Sequence, residues 1–357
     1  MMATAAKRFS RLLDPLRQRY GPEMPFLREM LHDAAATKPY AGLRILHNVP
    51  LFRNTLLKIE PLVTGGAEVI MTNPSFVRPD AAAVAFLTAA GIHWETDHNK
   101  ISGRFDYVLD TGAEFQGRVA AKGAVELTKA GERRYVGREV PYPVVSVDRS
   151  RLKQLETCLG TGDGLLRALQ QLLGSEFHGK DFVIFGFGKV GRGAARSLRG
   201  PAGRITIVDV DQNALTEARR RGYAAIHGGS TVAVSAAVQN AYAIVTASGV
   251  PGLITEHYHP DDFQGKVLAN LGADDEFGAA FTEGQVLNGK QPVNFCLADP
   301  TAMRYIDPVF YAHNYGINLL QAGDFSPGLH AYPEEIDRVV VSRWQQQFGE
   351  SVEECLP

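Results

Sequence analysis

The residues whose types and spacing most directly imply chemistry are Gly186-Phe187-Gly188-Lys189-Val190-Gly191-Arg192-Gly193. Glycines at the first and third positions of such a loop let the backbone turn tightly and approach a pyrophosphate. Gly191 then allows the following helix to pack closely on its strand, and the N-terminus of that helix stabilises phosphate charge. The apolar run Phe182-Val183-Ile184-Phe185 supplies the strand, and Lys189 and Val190 open the helix. Asp209 ends the next apolar segment, 21 residues after Gly188. A carboxylate there accepts hydrogen bonds from ribose hydroxyls and repels a 2′-phosphate, so the spacing predicts NAD in preference to NADP. Arg204, on the same strand, tempers that preference. The competing reading, a Rossmann-like unit without a dinucleotide, has to treat loop, helix and acid as three coincidences.

The elements that must position these residues follow from periodicity. An amphipathic helix is expected near the N-terminus, with Phe9, Leu12, Leu13 and Leu16 on one face and Gly21-Pro22 closing it. Helical patterns over 23–36, 53–64 and 80–90 alternate with apolar strands over 43–46, 67–71 and 107–110. A second alternating series begins with a glycine-interrupted helix over 152–173. It continues through strands at 182–185, 205–208, 243–246 and 266–270, and 306–347 reads as mainly helical. The βαβ rhythm predicts an α/β protein with two doubly wound parallel-sheet domains, one of them an NAD-binding Rossmann domain. The expected divisions are a substrate or catalytic domain over 1–159, the Rossmann domain over 160–295, and a return to the substrate domain over 296–357.

Composition narrows the function further. The 357 residues carry 37 basic and 39 acidic side chains, a net charge of −2, so binding to nucleic acid is not expected. The longest uncharged apolar run, 81–92, is too short for a membrane helix, and no membrane partner is expected. The three cysteines, Cys158, Cys296 and Cys355, form no CxxC and no even-numbered framework. They fit reduced thiols in a cytoplasmic protein, with Cys158 and Cys296 as small buried hydrophobes.

Taken together, several segments resemble the S-adenosylhomocysteine hydrolase family, over residues from about 24 to 340. They are Met24-Pro25 through Lys38-Pro39, Leu62-Val63-Thr64-Gly65-Gly66-Ala67-Glu68-Val69, and the Gly186 loop with Ser197-Leu198-Arg199-Gly200. Val210-Asp211, Asn270-Leu271-Gly272, Val293-Asn294 and Gly328-Leu329-His330-Ala331-Tyr332-Pro333 continue the match. The resemblance implies a tightly held NAD used without net redox change. A sugar secondary hydroxyl is oxidised, the neighbouring C–H becomes acidic, a β substituent leaves, and the ketone is reduced again. It assigns Thr246, Gly272, Asn294 and Thr128 to the cofactor beside Gly186, Gly188, Lys189, Val190, Gly191 and Asp209. It also implies a homo-oligomer, dimer or tetramer, acting on a nucleoside-like small molecule.

Matched residue by residue, the substrate side departs from the family. A catalytic histidine falls at Pro50, an adenine-contacting acid at Asn54, and a pair of acids at Asp110-Thr111. The Glu-Glu-Thr-Thr-Thr run becomes Glu126-Leu127-Thr128-Lys129-Ala130, another histidine becomes Ala273, and a substrate-contacting histidine before a proline becomes Asp299. The chain ends at Pro357 without the family's C-terminal tail. Lys153 and Glu156 map approximately to the family's lysine and its partner acid, with the lysine shifted by one.

The candidate catalytic set is therefore Lys153, Glu156 and Asp110, with Asn54 and Asp299 facing the substrate. Each has a plainer alternative: Lys153 and Glu156 as a surface i,i+3 pair, and Asp110 as a turn cap. Glu256-His257-Tyr258-His259 with Asp261 and Asp262 has metal-ligand residue types but aligns with a cofactor-domain loop, and no metal is expected. The pattern points to an NAD-containing lyase, dehydratase or hydrolase acting by β-elimination. A simple NAD-dependent dehydrogenase and a non-catalytic NAD-binding regulator are the alternatives.

Overall fold

The structure is a computed structural model that describes residues 2–323 and 325–356. The chain forms two compact units, Met1–Lys153 with Met303–Ser351, and Gln154–Ala302 with Val352–Pro357. The chain thus changes unit after Lys153 and after Ala302, and its last residues belong with the second unit.

The first unit is built on seven strands: β1 (Arg44–Asn48), β2 (Glu68–Thr72), β3 (His93–Trp94), β4 (Tyr107–Asp110), β5 (Gly123–Glu126), β6 (Pro143–Ser146) and, far along the chain, Gly328–Ala331. The five strands of the second unit are β7 (Phe182–Phe185), β8 (Ile205–Asp209), β9 (Ala224–His227), β10 (Ala243–Thr246) and β11 (Val267–Asn270), which makes Gly328–Ala331 β12. The strand orders are β12-β6-β5-β4-β1-β2-β3 and β11-β10-β7-β8-β9, and every pairing is parallel. Each sheet reverses direction once, between β1 and β4 in the first and between β7 and β10 in the second. Ligands of open α/β sheets bind outside the carboxyl ends of the strands at such a switch point.

Local chemistry explains why the elements stop where they do. Asp80 caps the helix Ala81–Ala90 by accepting from the Ala83 N–H at 2.7 Å, and Gly91 ends it at φ 76. Two carboxylates from the late helices reach back to cap early segments of the same unit. Asp307 accepts from the Phe26 and Leu27 N–H groups, each at 2.9 Å. Asp337 accepts from Arg151 N at 2.7 Å and Leu152 N at 2.8 Å. Burial pushes the Asp307 carboxyl up to about 7 despite those two donors.

Several expectations change. The single N-terminal helix is two, Met2–Leu12 and Asp14–Tyr20, with Phe9 and Leu13 buried but Leu12 37% exposed. The region read as mainly helical at the end is two helices, Met303–Ala322 and Glu334–Phe348, with β12 between them on the edge of the first sheet. The glycines of the 152–173 segment do not break it. A π-helical turn, Leu155–Gly160, runs directly into the helix Thr161–Leu173. Gly162 and Gly164 are close-approach positions, since a Cβ would lie 2.3 Å from the Gly193 carbonyl oxygen and 2.4 Å from that of Pro300.

The cysteine reading also changes. Cys158 and Cys355 form a disulfide across 197 residues, leaving Cys296 free. Sequence separation hid the pair, and the inference from scattered thiols to a reducing compartment loses its premise. Among the described residues no helix is long and apolar enough to cross a membrane, and no cluster of His, Cys, Asp or Glu is arranged to hold a metal.

Candidate functional site

The glycine loop lies at the switch point of the second sheet, between β7 and the helix Lys189–Leu198. Gly186 has φ 96, and a Cβ there would come within 2.5 Å of the Ala247 carbonyl oxygen. A Cβ on Gly191 would lie 2.0 Å from the Gly186 carbonyl oxygen, so the helix can seat on the loop only without a side chain at Gly191, while Gly186 lets the loop approach the turn after β10. Gly188 differs: nothing lies within 4 Å of where its Cβ would be. Its lack of a side chain keeps space open over the first helical N–H groups, which have no intrahelical acceptor. Lys189 and Val190 follow in the first turn, half-buried.

Asp209 ends β8 with both carboxylate oxygens engaged locally. One accepts from Phe187 N at 2.7 Å and the other from Asp211 N at 2.9 Å. The acid is therefore tied to the glycine loop itself, which fixes its distance from whatever the loop holds. The other wall is organised by Asn270, which lies in a segment that carries the resemblance but has no assigned role, and by Glu276, which motif reading passed over. Asn270 accepts from the Thr246 hydroxyl and the Gly272 N–H, both at 3.0 Å, and its amide donates to Gly272 O at 3.1 Å. Glu276 accepts from Ser248 N, Ser248 Oγ and Gly249 N at 2.7–2.9 Å, holding the turn after β10. Asn270 had a visible signal as the one polar residue closing the apolar run Val267-Leu268-Ala269, whereas Glu276 follows Asp274 and Asp275 and does not stand out.

Other expected residues have local tasks. Asn294 is buried, and its amide donates to Pro300 O at 3.3 Å. Asp299 is half-buried in the second unit, and its backbone carbonyl accepts from Arg167 at 2.9 Å. Thr128 belongs to the first unit, where it caps the helix Lys129–Tyr135 through Gly131 N at 3.2 Å.

The carboxyl edge of the first sheet carries an unbroken polar row. Thr72, Asn48, Asp110, Glu126 and Ser146 are the last residues of β2, β1, β4, β5 and β6, and all are buried. Thr72 pairs in register with Asn48, Asp110 with Glu126, and Glu126 with Ser146. Asp110, expected as a catalytic acid, accepts from Asn48 Nδ2 and Thr111 N at 2.8 Å and from Phe115 N at 3.0 Å. Glu126 accepts from Gly112 N, Ala113 N and Thr128 N at 2.8–3.0 Å and from the Thr128 hydroxyl at 2.7 Å. These two carboxylates hold the 111–115 turn, in which Ala113 takes the unusual φ of 51. Glu114 bridges the switch point, accepting from Ser75 N at 3.1 Å and Asn48 Nδ2 at 3.2 Å. Three polar atoms at this edge, Asn48 Oδ1, Thr72 Oγ1 and Thr111 Oγ1, are buried without a hydrogen-bond partner.

Lys153 is the last residue of the first unit and is buried. Glu156 lies in the π-helical turn of the second, half-buried. The buried positions of Lys153 and Gln154 set aside the solvated-lysine alternative. Asn54 is also buried, in the first turn of the helix Arg53–Thr64.

Comparison with known proteins places this geometry. Residues 157–283 match the S-adenosyl-L-homocysteine hydrolase, NAD binding domain. An S-inosyl-L-homocysteine hydrolase of Methanopyrus kandleri is 26% identical over 94% of this chain and 90% of its own length. An adenosylhomocysteinase of Thermococcus kodakarensis is 25% identical over 93% and 90%. One from Sulfurisphaera tokodaii reaches 30% over 70% and 64%. The chain is similar to S-adenosyl-L-homocysteine hydrolases along most of its length, and the matched segment is their NAD-binding domain. Among solved structures, a dipicolinate synthase chain from Bacillus halodurans is similar at 12% identity and a TM-score of 0.46, covering 79% of this chain and 98% of that one.

NAD is the cofactor indicated by the matched NAD-binding domain, and the residues present fit it. Gly191 admits only hydrogen atoms where the helix meets the loop and Gly186 where the loop meets Ala247, Gly188 leaves room above the helix N-terminus, and Asp209 is anchored to that loop. Loop and acid therefore offer donors to a pyrophosphate and acceptors to a ribose within one rigid turn.

Proposed function

We propose that this adenosylhomocysteinase-like protein is an NAD-containing enzyme that transiently oxidises a secondary hydroxyl on the sugar of a nucleoside-like substrate and promotes β-elimination. One observation in the first unit supports the substrate class. Asn48 Oδ1, Thr72 Oγ1 and Thr111 Oγ1 are unsatisfied and uncharged, at the ends of β1 and β2 and just after β4, on and beside the sheet's switch point. Buried polar atoms cost about 1–3 kcal/mol each when left unpaired, so this edge favours a ligand rich in neutral hydroxyl or amine groups over a charged one.

NAD, when bound, reversibly takes up the electrons of one secondary alcohol. The chain supplies the proton handling in this reading: Lys153 takes the hydroxyl proton, Glu156 holds or polarises that lysine, and the ketone acidifies the adjacent C–H. Asp110, Asn54 and Asp299 are assigned to the substrate side, although the donors already held by Asp110 make it a positioning residue rather than a base. With Pro50, Leu127 and Ala273 at positions where the family carries ionisable groups, loss of a leaving group without rehydration is the favoured outcome, a lyase or dehydratase. The family resemblance extends the reading to a cytoplasmic homo-oligomer, dimer or tetramer.

A second reading has its own support. The donors crowding Asp110 and Glu126 leave neither carboxylate idle, as befits an NAD-binding regulator without catalysis. The test is direct. Nucleotide released by denaturing the purified protein is identified by mass, and the native protein is mixed with a panel of nucleosides while absorbance at the reduced-cofactor band and product masses are followed. A transient absorbance rise with a product lighter by water or another leaving group supports elimination. Stoichiometric accumulation of reduced cofactor with a stable ketone identifies a dehydrogenase instead. Bound NAD with no response across the panel favours the regulator.

A further inference from the structure

We propose that Cys158 and Cys355 form a redox-operated latch, fastening residues 352–356 to the helix that carries the phosphate loop, and that opening it loosens NAD. The two cysteines are distant in sequence, yet their Cα atoms are 5.8 Å apart and both side chains are fully buried. Cys158 lies in the π-helical turn Leu155–Gly160, packed backbone to backbone on the helix Lys189–Leu198. A Cβ on Gly193 would lie only 2.0 Å from the Cys158 carbonyl oxygen. Gly193 stands two residues beyond Gly191, whose own contact seats the helix on the loop. Whatever displaces Cys158 therefore bears directly on the element whose N-terminus faces the cofactor phosphates.

The tail side is attached in a different way. Val352 and Cys355 are buried, while Glu354 accepts from Arg196 Nε at 3.2 Å and approaches Arg199 at 4.0 Å. Arg221 donates to the carbonyl oxygens of Glu354 and Leu356, the latter at 3.1 Å. The ion pairs are solvent-exposed on both sides, and such pairs hold little against water and salt. One covalent bond, one apolar side chain and the two Arg221 hydrogen bonds carry the attachment. Breaking the bond leaves a short 3-10 turn, Glu353–Cys355, held by Val352, the Arg221 hydrogen bonds and screened charge.

The reaction balances with a low-molecular-weight disulfide as oxidant. The Cys355 thiolate attacks one sulfur of that disulfide, forming a mixed disulfide and expelling one thiolate. The Cys158 thiolate then attacks the Cys355 sulfur, closing the intramolecular bond and expelling the second. The two protein thiols lose two electrons and two protons, and the small disulfide becomes two thiols. Excess small thiol drives the same steps backwards.

The experiment uses the full chain loaded with NAD, equilibrated in oxidised or in reduced glutathione. Alkylation after denaturation reports the state: Cys296 alone reacts when the latch is closed, and all three cysteines react when it is open. Each state is then given to a carboxypeptidase, and NAD loss is followed after dilution. Reduction is expected to speed release of the C-terminal residues about tenfold, further with added salt, and to speed NAD loss several-fold. Cys355→Ser should match the reduced protein in both buffers, and Cys296→Ser should match wild type. Equal digestion rates in two states that alkylation distinguishes would overturn the latch. Faster digestion with unchanged NAD loss would overturn its coupling to the cofactor, and alkylation of all three cysteines in both buffers would remove the bond itself. The wild-type comparison stands without any variant, so a folding defect in Cys355→Ser leaves the test intact.

Discussion

Asp110 and Glu126 stand opposite each other in register at the carboxyl ends of β4 and β5, both fully buried and both bonded to the turn that separates their strands. Two carboxyls so placed cannot both ionise freely. Burial is the larger cause and mutual repulsion the next for Glu126, whose carboxyl is held up to about 8, with Asp110 at about 6.

A pH signature follows from that pair. Between the ordinary carboxylate range and about pH 8, the folded chain retains protons that the unfolded chain has lost. Stability contributed by the pair is full at low pH and falls as pH rises through this window. Glu126→Gln should flatten the decline, seen as urea midpoints that no longer drop between acid and mildly alkaline buffer. An unchanged slope in the variant would refute the assignment.

Lys58 carries the opposite sign. It is fully buried in the first unit, 3.0 Å from His47 Nε2 and 2.7 Å from Asn314 Oδ1, with no carboxylate in the group. Burial holds its amine well below the ordinary lysine range, and burial with the neighbouring amine does the same to His47 and His313. Here the unfolded chain binds more protons, so stability falls as pH drops from the lysine range toward acid. Lys58→Met should remove most of that slope, whatever it does to stability at any one pH. Parallel profiles for the two proteins would contradict this.

The glycines of the phosphate loop should separate folding from binding. Gly193→Ala forces a methyl into the Cys158 carbonyl and should destabilise the second unit by roughly 3 kcal/mol. Gly188→Ala meets open space and should leave the melting temperature unchanged, while weakening NAD about tenfold or more by occupying the approach to the pyrophosphate. Thermal melts and NAD titrations on the two variants check both statements, and a Gly188→Ala protein that binds NAD normally would disprove the second.

Asp209 links cofactor choice to loop order. Replacing it with Asn removes the charge that repels a 2′-phosphate and keeps one oxygen acceptor for either the Phe187 or the Asp211 N–H group, at the cost of the other bond. The ratio of NADP to NAD affinity should rise about tenfold, mostly through weaker NAD binding. Calorimetric titration with each dinucleotide measures the ratio; an unchanged value would show that Asp209 only orders the loop.

The nucleotide loop was readable because its requirements are local: Gly186, Gly188 and Gly191 act through backbone contacts fixed by sequence spacing. The doubly wound parallel class was legible because apolar strands alternate with helices, but the strand order was not. Short strands such as β9, half-exposed, and β12, placed by pairing with β6 across a long separation, carry too little local pattern. The polar row at the first sheet's edge was hidden for a related reason. Each member is one polar residue after an apolar strand, an ordinary strand end until register aligns five of them. Lys153 was singled out, yet the equally buried Gln154 beside it was not, because nothing in a single sequence distinguishes a buried helix residue from a solvated one at that spacing.

β12 carries a consequence for how the protein is made. The strand that completes the first sheet is synthesised only after the whole 154–302 segment, and the residues that bond to Cys158 come later still. On the ribosome, β6 must therefore wait with one edge uncovered while the second unit emerges, and that unit in turn waits for residues 352–357. A chain released before β12 is made lacks a piece of both units, and its open strand edge invites association with other unfinished chains.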